Sequence, residues 1–172
     1  MNLSFKLDPE LTAELVERLE QIWLDVGRAG GSVGTPLDAT ADDVKTLSDK
    51  AFRAVEEGDD HLVVVYMNGD PSGFAFLVHN PGPLFEHWAT VKRLQVRPSL
   101  QGGGIGTALM QEITRAARDD LGLEQLQLTV RGKTGTEGFY ERFGYQIVGR
   151  IPDAIRVAPG DDRDMIYMVS RL

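Results

Sequence analysis

Four glycines stand within five positions of this chain, between a strand-like segment and a helix-like one. The segment reads Gln101-Gly102-Gly103-Gly104-Ile105-Gly106-Thr107. An apolar period of three to four residues then begins at Ile105 and continues through Leu109 and Ile113, which is typical of a helix. Glycines let a loop bend tightly and bring its amides close to a ligand, and the first turn of a helix offers unpaired N–H groups. The junction therefore predicts a backbone site for an anion such as phosphate.

Two common phosphate-binding loops do not fit this segment. A P-loop requires Lys after its last glycine, but Thr107 follows Gly106. The dinucleotide fingerprint Gly-x-Gly-x-x-Gly requires a further glycine at 107 or 109, where Thr107 and Leu109 stand. A glycine-rich turn without a ligand stays open as an alternative, although so many glycines before a helix cost conformational entropy.

Hydropathy patterns predict the element order β-α-α-β-β-β-α-β-α-β-β. Asp8 and Pro9 resemble the start of the first helix, and Thr40 resembles the N-cap of the second. A mobile glycine-rich loop is expected between these helices, at residues 27–36. No linker divides the chain, so we expect one α+β domain over residues 1–172, with a mixed, mostly antiparallel sheet flanked by helices. The predicted strands cover residues 3–7, 61–67, 72–79, 88–96, 125–130, 145–148 and 165–169, and the predicted helices cover 9–26, 41–57, 105–121 and 136–143.

Charge is divided unevenly along the chain. Residues 1–60 carry 6 basic and 14 acidic side chains, whereas residues 61–172 carry 12 of each, so the first third holds the whole net charge of −8. This balance argues against binding of nucleic acid and against docking on an anionic membrane. The chain has no cysteine, no metal-ligand spacing, no membrane-spanning run and no recognisable secretory leader, so we expect a cytoplasmic protein without a bound metal. A homodimer stays open, since Trp23 and Trp88 fit an interface as well as a core.

Two motifs resemble those of the GNAT N-acetyltransferase superfamily. The first, Gln101-x-x-Gly104-x-Gly106, matches the family's Arg/Gln-x-x-Gly-x-Gly/Ala signature and follows a segment, residues 94–98, that looks like the family's fourth strand. The second, residues 138–145, is similar to its Tyr-x-x-x-Gly-Phe/Tyr segment. The predicted element order also matches, so the resemblance implies a GNAT-like acyltransferase fold over nearly the whole chain.

The resemblance implies acetyl-CoA as the co-substrate. Segment 94–96 would pair with the pantetheine arm as an added strand, and strands four and five would splay to admit the thioester. Tyr140 matches the family's general acid, which would protonate the departing CoA thiolate. The cofactor residues implied are Leu94, Gln95, Val96 and the amides of Gln101, Gly102, Gly103, Gly104, Ile105, Gly106 and Thr107.

The general base is where the sequence departs from the family. Some members carry a Glu early in strand four, but that position falls near Thr90, which cannot act as a base. Glu86 and His87 lie just upstream and could act through water, and His79 could end the neighbouring strand. Bulk solvent could also deprotonate the amine. Lys133 stands where the family often has Asn, and its ammonium group could either contact a CoA phosphate or remain in solvent.

The expected reaction is direct transfer of an acetyl group to a primary amine of a small molecule. In the family the first two helices and the last hairpin usually wall the acceptor site, so the acidic first third suggests a cationic amine; solvent-facing carboxylates are the plainer interpretation. A protein or peptide acceptor, a non-catalytic CoA-binding module and a nucleotide-binding protein stay open. The carboxylates considered are Asp25, Asp38, Asp42, Asp43, Asp161, Asp162 and Asp164.

Overall fold

A seven-stranded mixed sheet forms the centre of the computed structural model, which describes residues 2–172. Its strands are β1 Leu3–Leu7, β2 Asp60–Met67, β3 Asp70–His79, β4 Trp88–Val96, β5 Gln125–Arg131, β6 Gln146–Ala158 and β7 Asp161–Arg171. Their spatial order is β1-β2-β3-β4-β5-β7-β6. Only β4 and β5 pair in parallel, which confirms the prediction of a mixed, mostly antiparallel sheet. The helices are α1 Ala13–Arg28, α2 Ala41–Glu56, α3 Ile105–Arg115 and α4 Glu137–Glu141.

Two apolar clusters lie on opposite faces of this sheet. Val63 and Val65 of β2 pack with α3, whereas Leu62 and Val64 pack with α1 and α2. Successive side chains of a strand point to opposite faces, so a central strand covered by helices on both sides is apolar at consecutive positions. This explains why residues 62–65 show no polar alternation, and all four are fully buried.

The two predicted helix starts have different outcomes. Thr40 caps α2 in a reciprocal capping box with Asp43, as its sequence suggests. Asp8 does not cap α1, which begins at Ala13 behind Thr12. Instead, the Asp8 carboxylate accepts a hydrogen bond of 2.8 Å from the Leu62 amide. The prediction for α1 was wrong because the carboxylate is used by a strand distant in sequence.

The loop between α1 and α2, predicted as mobile, is anchored to the core. Val33 is 2% exposed, and its carbonyl accepts a hydrogen bond of 3.0 Å from Nε1 of Trp23. Trp23 is itself fully buried among Phe74 and Phe76, so this tryptophan belongs to the core and not to an interface. The loop therefore stands at a fixed place beside the sheet.

The last two strands extend well beyond the predicted segments 145–148 and 165–169. β6 and β7 continue to a turn at Pro159 and Gly160, so the predicted loop around residues 159–162 is the turn of a long hairpin. The helix expected over 105–121 is α3 followed by a π-helical turn, Ala116–Asp120. No helix within residues 2–172 is long and apolar enough to cross a membrane.

Candidate active site

Strands β4 and β5 lie side by side at one end and separate at the other. Their parallel pairing covers only residues 88–90 of β4 and 125–127 of β5. Beyond these pairs a cavity of about 300 Å³ opens between the strands, and the α1–α2 loop at residues 31–33 forms part of its wall. The splaying expected from the resemblance is therefore present, and it leaves an open strand edge beside the cavity.

A bulge in β4 contributes to this separation. Phe74 and Phe76 of β3 stand opposite Gln95 and Lys92 of β4, so β4 carries one extra residue between them. Arg93 lies in that stretch and has a positive φ of 55°. Because a bulge bends the strand that carries it and redirects a side chain, the far half of β4 turns and presents Leu94 and Val96 to the cavity.

The glycine segment begins α3 at the rim of the same cavity. Gly104 is the N-cap residue with φ of 85°, and Gly102 has φ of 79°. Both angles belong to the left-handed region, where glycine carries little strain. The amides of Gly102, Gly103 and Gly104 meet no acceptor within residues 2–172, and the first N–H groups of a helix have no intrahelical partner. The segment thus offers a row of open donors at the positive end of α3.

Gln101 braces this segment from within. Its side chain donates to the Val96 carbonyl at 2.9 Å, and its amide donates to the Pro98 carbonyl at 3.2 Å. The Gln101 amide therefore already has a backbone acceptor, and its role in holding phosphate stays a prediction. Ile105 is fully buried beneath the helix start, while Gly106 lines the cavity and Thr107 is half-buried.

Tyr140 stands in the cavity wall on the short helix α4. Its ring lies 5.0 Å from that of Phe139 and 5.8 Å from that of Tyr145, centroid to centroid. Burial raises the pKa of Tyr140 to about 12. A phenol of this kind keeps its proton at neutral pH, so it can donate a proton but cannot act as a base.

The structure does not bring Glu86 or His87 to Tyr140. Both are exposed at the start of β4 and outside the cavity lining. Four residues separate His87 from Val91, a lining residue of β4, which is roughly 13 Å of strand at about 3.3 Å per residue. Neither side chain lines the cavity, and a role for either of them through water stays a prediction.

His79 and Lys133 also lie elsewhere. His79 lines a separate hollow with Glu86, where its ring lies 5.3 Å from that of His61, and burial lowers its pKa. The ammonium group of Lys133 donates to the Asp162 carbonyl at 3.3 Å. Thr90 lies within the paired part of β4.

The carboxylates that suggested a cationic acceptor do not line the cavity. In the last hairpin each is paired with a nearby arginine, and these arginines lower the pKa of each carboxyl group. The remaining ones belong to α1, α2 and the loop that joins them. The hairpin pairs are Asp161–Arg163, Asp162–Arg156 and Asp164–Arg150, at 2.7, 2.6 and 2.7 Å.

Sequence reasoning missed two charged residues that do line the cavity, Arg93 and Arg131. Both stand on strands whose apolar alternation hides them, and the bulge at Arg93 shifts that alternation. Gln95 was assigned to the cofactor, but its amide group is 2% exposed and lies beside Phe74 in the register. This places Gln95 on the α1 face of the sheet, away from α3.

A family model described as an acetyltransferase (GNAT) domain matches residues 58–147, which is more than half of the chain. The matched stretch includes the glycine segment and Tyr140. The chain therefore belongs to the GNAT acetyltransferase family. No protein with a curated function matches it by sequence.

Solved structures share the fold at low sequence identity. A candidate phosphinothricin N-acetyltransferase is 19% identical with a TM-score of 0.79, and the match covers 99% of both chains. A candidate acetyltransferase from Salmonella typhimurium, solved with its cofactor acetyl-CoA, is 14% identical with a TM-score of 0.78, over 100% of this chain and 95% of that one. A ribosomal-protein-alanine N-acetyltransferase from Brucella melitensis is 19% identical with a TM-score of 0.76, over 97% and 99%.

The residues present fit acetyl-CoA, the co-substrate of this family. Open glycine amides at the start of α3 suit a pyrophosphate. The unpaired edge of β4 suits an extended pantetheine arm, which can add to it as a strand does. The cavity between β4 and β5 lies between this edge and Tyr140.

Proposed function

We propose that this protein transfers an acetyl group from acetyl-CoA to a primary amine of a small molecule. The observation that carries the proposal is the meeting, at one cavity, of the open strand edge of β4, the glycine-capped start of α3 and the protonated phenol of Tyr140. A small molecule is favoured over a protein because the α1–α2 loop is anchored to the core and forms part of the cavity wall beside β4.

Each part of the cavity has a separate task in this reaction. Bound acetyl-CoA supplies a thioester, whose acetyl carbon is attacked by the amine. The amides of residues 102–104 hold phosphate oxygens, and the edge at Leu94 and Val96 orients the arm that carries the thioester. Tyr140 donates its proton to the sulfur that leaves, the attacking nitrogen loses its extra proton to solvent, and solvent returns a proton to Tyr140, so that the products are an amide and a neutral thiol.

The amine attacks directly, and no acetylated enzyme forms. The chain has no cysteine, and no histidine or carboxylate lines the cavity, so an activated nucleophile with an adjacent base is absent there. For the same reason we assign deprotonation of the amine to solvent. The acceptor therefore reacts as the fraction that is already neutral.

Initial rates of thiol release test the proposal. Acetyl-CoA is paired with amino acids, polyamines, aminoglycosides and peptides with free N-termini, and the acetylated product is identified by mass. We expect transfer to at least one small amine, with intersecting double-reciprocal plots because both substrates bind before reaction. Binding of acetyl-CoA without transfer to any amine would support a non-catalytic module, and preference for long peptides would support a protein acceptor.

A further inference from the structure

The cavity has a positive lining on its α1 side. Arg93 and Arg131 are its charged lining residues, and no aspartate or glutamate joins them. The molecule as a whole carries a net charge of −8, so this local positive charge is opposite in sign to that of the protein. Fixed charge of one sign in a concave site attracts ligand groups of the other sign.

Arg93 has no anionic partner within residues 2–172. Its guanidinium lies over the ring of Trp23, 4.8 Å from the ring centroid, and no carboxylate lies within 4.0 Å of it. Trp23 itself is fully buried, so the stacking fixes the direction of the arginine. Burial also lowers the pKa of Arg93, as expected for a cation held without a counterion.

Only some of the hydrogen-bond donors of Arg131 have an acceptor. Its Nη2 donates to the Gly30 carbonyl at 2.7 Å, but its Nε is buried and meets no acceptor within the described chain. The arginines of the last hairpin differ, since Arg150, Arg156 and Arg163 each bind a carboxylate. Within residues 2–172 neither cavity arginine is in an ion pair, although Asp161, which is bound by Arg163, acts on Arg131 at longer range and opposes the lowering of its pKa.

Gln95 adds neutral hydrogen-bonding groups on the same side. Its side chain is 2% exposed and lines the cavity, and both its Oε1 and its Nε2 lack a partner within residues 2–172. A buried polar group without a partner loses its hydration uncompensated, so such groups are normally satisfied by a ligand or by water. Gln95 therefore also indicates a polar ligand group here.

The position of these groups separates them from the phosphate site. Arg93 contacts Trp23 of α1, and Arg131 contacts Gly30 of the α1–α2 loop. The glycine segment and α3 belong to the cluster on the opposite face of the sheet. The arginines consequently lie on the α1 side of the cavity, away from the start of α3.

We propose that the acceptor is an amine that also carries a carboxylate, as an α-amino acid does, and that Arg93 and Arg131 bind this carboxylate. The inference rests on the proposed function. The planar fork of arginine matches a carboxylate with two parallel hydrogen bonds. Gln95 contributes a further donor and acceptor to the polar part of the acceptor. A polyamine, which the acidic first third of the sequence suggested, would meet two cations here.

Pairs of acceptors that differ only in the carboxylate test the proposal. We compare kcat/KM per concentration of neutral amine for each amino acid and for its primary amide, because conversion of the acid to the amide lowers the pKa of the amine; spermidine is included as a polyamine. Removal of one charged hydrogen-bond partner is expected to lower this corrected kcat/KM by roughly 10- to 100-fold, so the acids should exceed their amides by at least this factor. Equal or higher corrected values with the amides or with spermidine would overturn the inference and leave the acetyltransferase function standing. Absence of transfer to every amine would instead overturn the function itself.

Variants locate the effect. Arg131→Gln and Arg93→Gln should each remove the preference for the acid over its amide, whereas Arg93→Lys should retain part of it. Acetyl-CoA affinity, measured by titration calorimetry, should stay unchanged in all three and shows that each variant is folded. Arg118→Gln is the matched control, because Arg118 pairs with Asp119 outside the cavity. Equal losses for acid and amide in the arginine variants would show a structural role and contradict the inference.

Discussion

At the scale of single residues, Tyr140 is the side chain on which the proposed chemistry depends. Its hydroxyl is the only group with a donatable proton that both the motif and the cavity lining indicate. We predict that Tyr140→Phe lowers kcat by about 100-fold or more, in the range of general acid catalysis, with little change in acetyl-CoA affinity. Steady-state kinetics with saturating acetyl-CoA measures this. Tyr167→Phe is the control, since Tyr167 is 38% exposed on β7. An unchanged kcat in Tyr140→Phe would contradict the role of Tyr140 as the general acid.

The pH profile gives an independent check of the same residue. A group with a pKa of about 12 is protonated below that pH and loses its proton only above it, so Tyr140 stays a competent donor through the neutral and mildly alkaline range. The cavity holds no carboxylate or histidine base, so the fraction of neutral amine sets the reaction on the acid side. We therefore expect kcat/KM to rise with pH toward the pKa of the acceptor amine, without an alkaline decline near pH 10. If the pKa on the acid side of the kcat/KM profile stays the same when the acceptor is exchanged, a base of the protein controls the reaction instead of the acceptor amine.

The residues of the site differ in how far the sequence reveals them. Tyr140 and the glycines are visible because their motifs are local, with every member within a few positions. Arg93 and Arg131 are not, because their place in the cavity depends on the bulge in β4 and on the distant contacts with Trp23 and Gly30. A bulge changes the face of the sheet on which a side chain lies, and the amino-acid composition of a strand does not predict where a bulge occurs.

At the scale of elements, the start of α3 should bind phosphate through the conformation of its backbone. Gly104→Ala places a side chain at φ of 85°, where an L-residue is strained by about 1–2 kcal/mol. We predict that the variant loses about that much stability and binds acetyl-CoA several-fold more weakly, because relief of the strain turns the amides away. Urea unfolding and titration calorimetry measure the two effects.

Gly122→Ala supplies the matched control for this element. Gly122 has φ of 66°, and like Gly104 it has open space where a Cβ would stand. It follows the π-helical turn and does not line the cavity. The two variants should lose similar stability, but only Gly104→Ala should lose affinity for acetyl-CoA. A comparable loss of affinity in Gly122→Ala would mean that general destabilisation explains the result.

Elements with one strong signal were predictable, and those shaped by distant partners were not. β4 agrees with its predicted bounds, since its apolar run ends at Pro98. β6 extends far past residue 148 because its largely exposed second half is held by pairing with β7, including the ion pairs of Arg150 and Arg156. Tertiary pairing of this kind overrides the apolar alternation on which strand prediction depends.

At the scale of the whole molecule, charge and catalysis are separated in space. The acidic residues of the first third lie mainly on α1, α2 and their loop, whereas the cavity beneath them presents two arginines. The net charge of −8 therefore describes the outer surface and not the cavity. A charge count along the sequence could not distinguish the two, because the cavity draws Arg93 and Arg131 from the neutral part of the chain.

Both apolar clusters share the central strands, so we expect the chain to melt as one unit. β2 contributes to the clusters on both faces of the sheet. Loss of the helices from either face would therefore expose β2, which the cluster on the other face also needs. Tryptophan fluorescence and far-ultraviolet circular dichroism should therefore report coincident transitions. This cooperativity allows one melting temperature to report ligand binding for the whole molecule.

Ligand-induced stabilisation then separates an acetyl-CoA site from a nucleotide site. A ligand at about 100 times its Kd stabilises the native state by about 2.7 kcal/mol, which corresponds to about 5–10 °C in melting temperature for a chain of this size. We expect this shift with acetyl-CoA and with CoA, because both engage the glycine amides and the open edge of β4. ATP has phosphates but no pantetheine arm, so it can use only the start of α3, and at the same concentration as acetyl-CoA it should shift the melting temperature far less. An equal shift with ATP would show that the glycine segment binds phosphate without the strand edge, and it would contradict the role given to Leu94 and Val96.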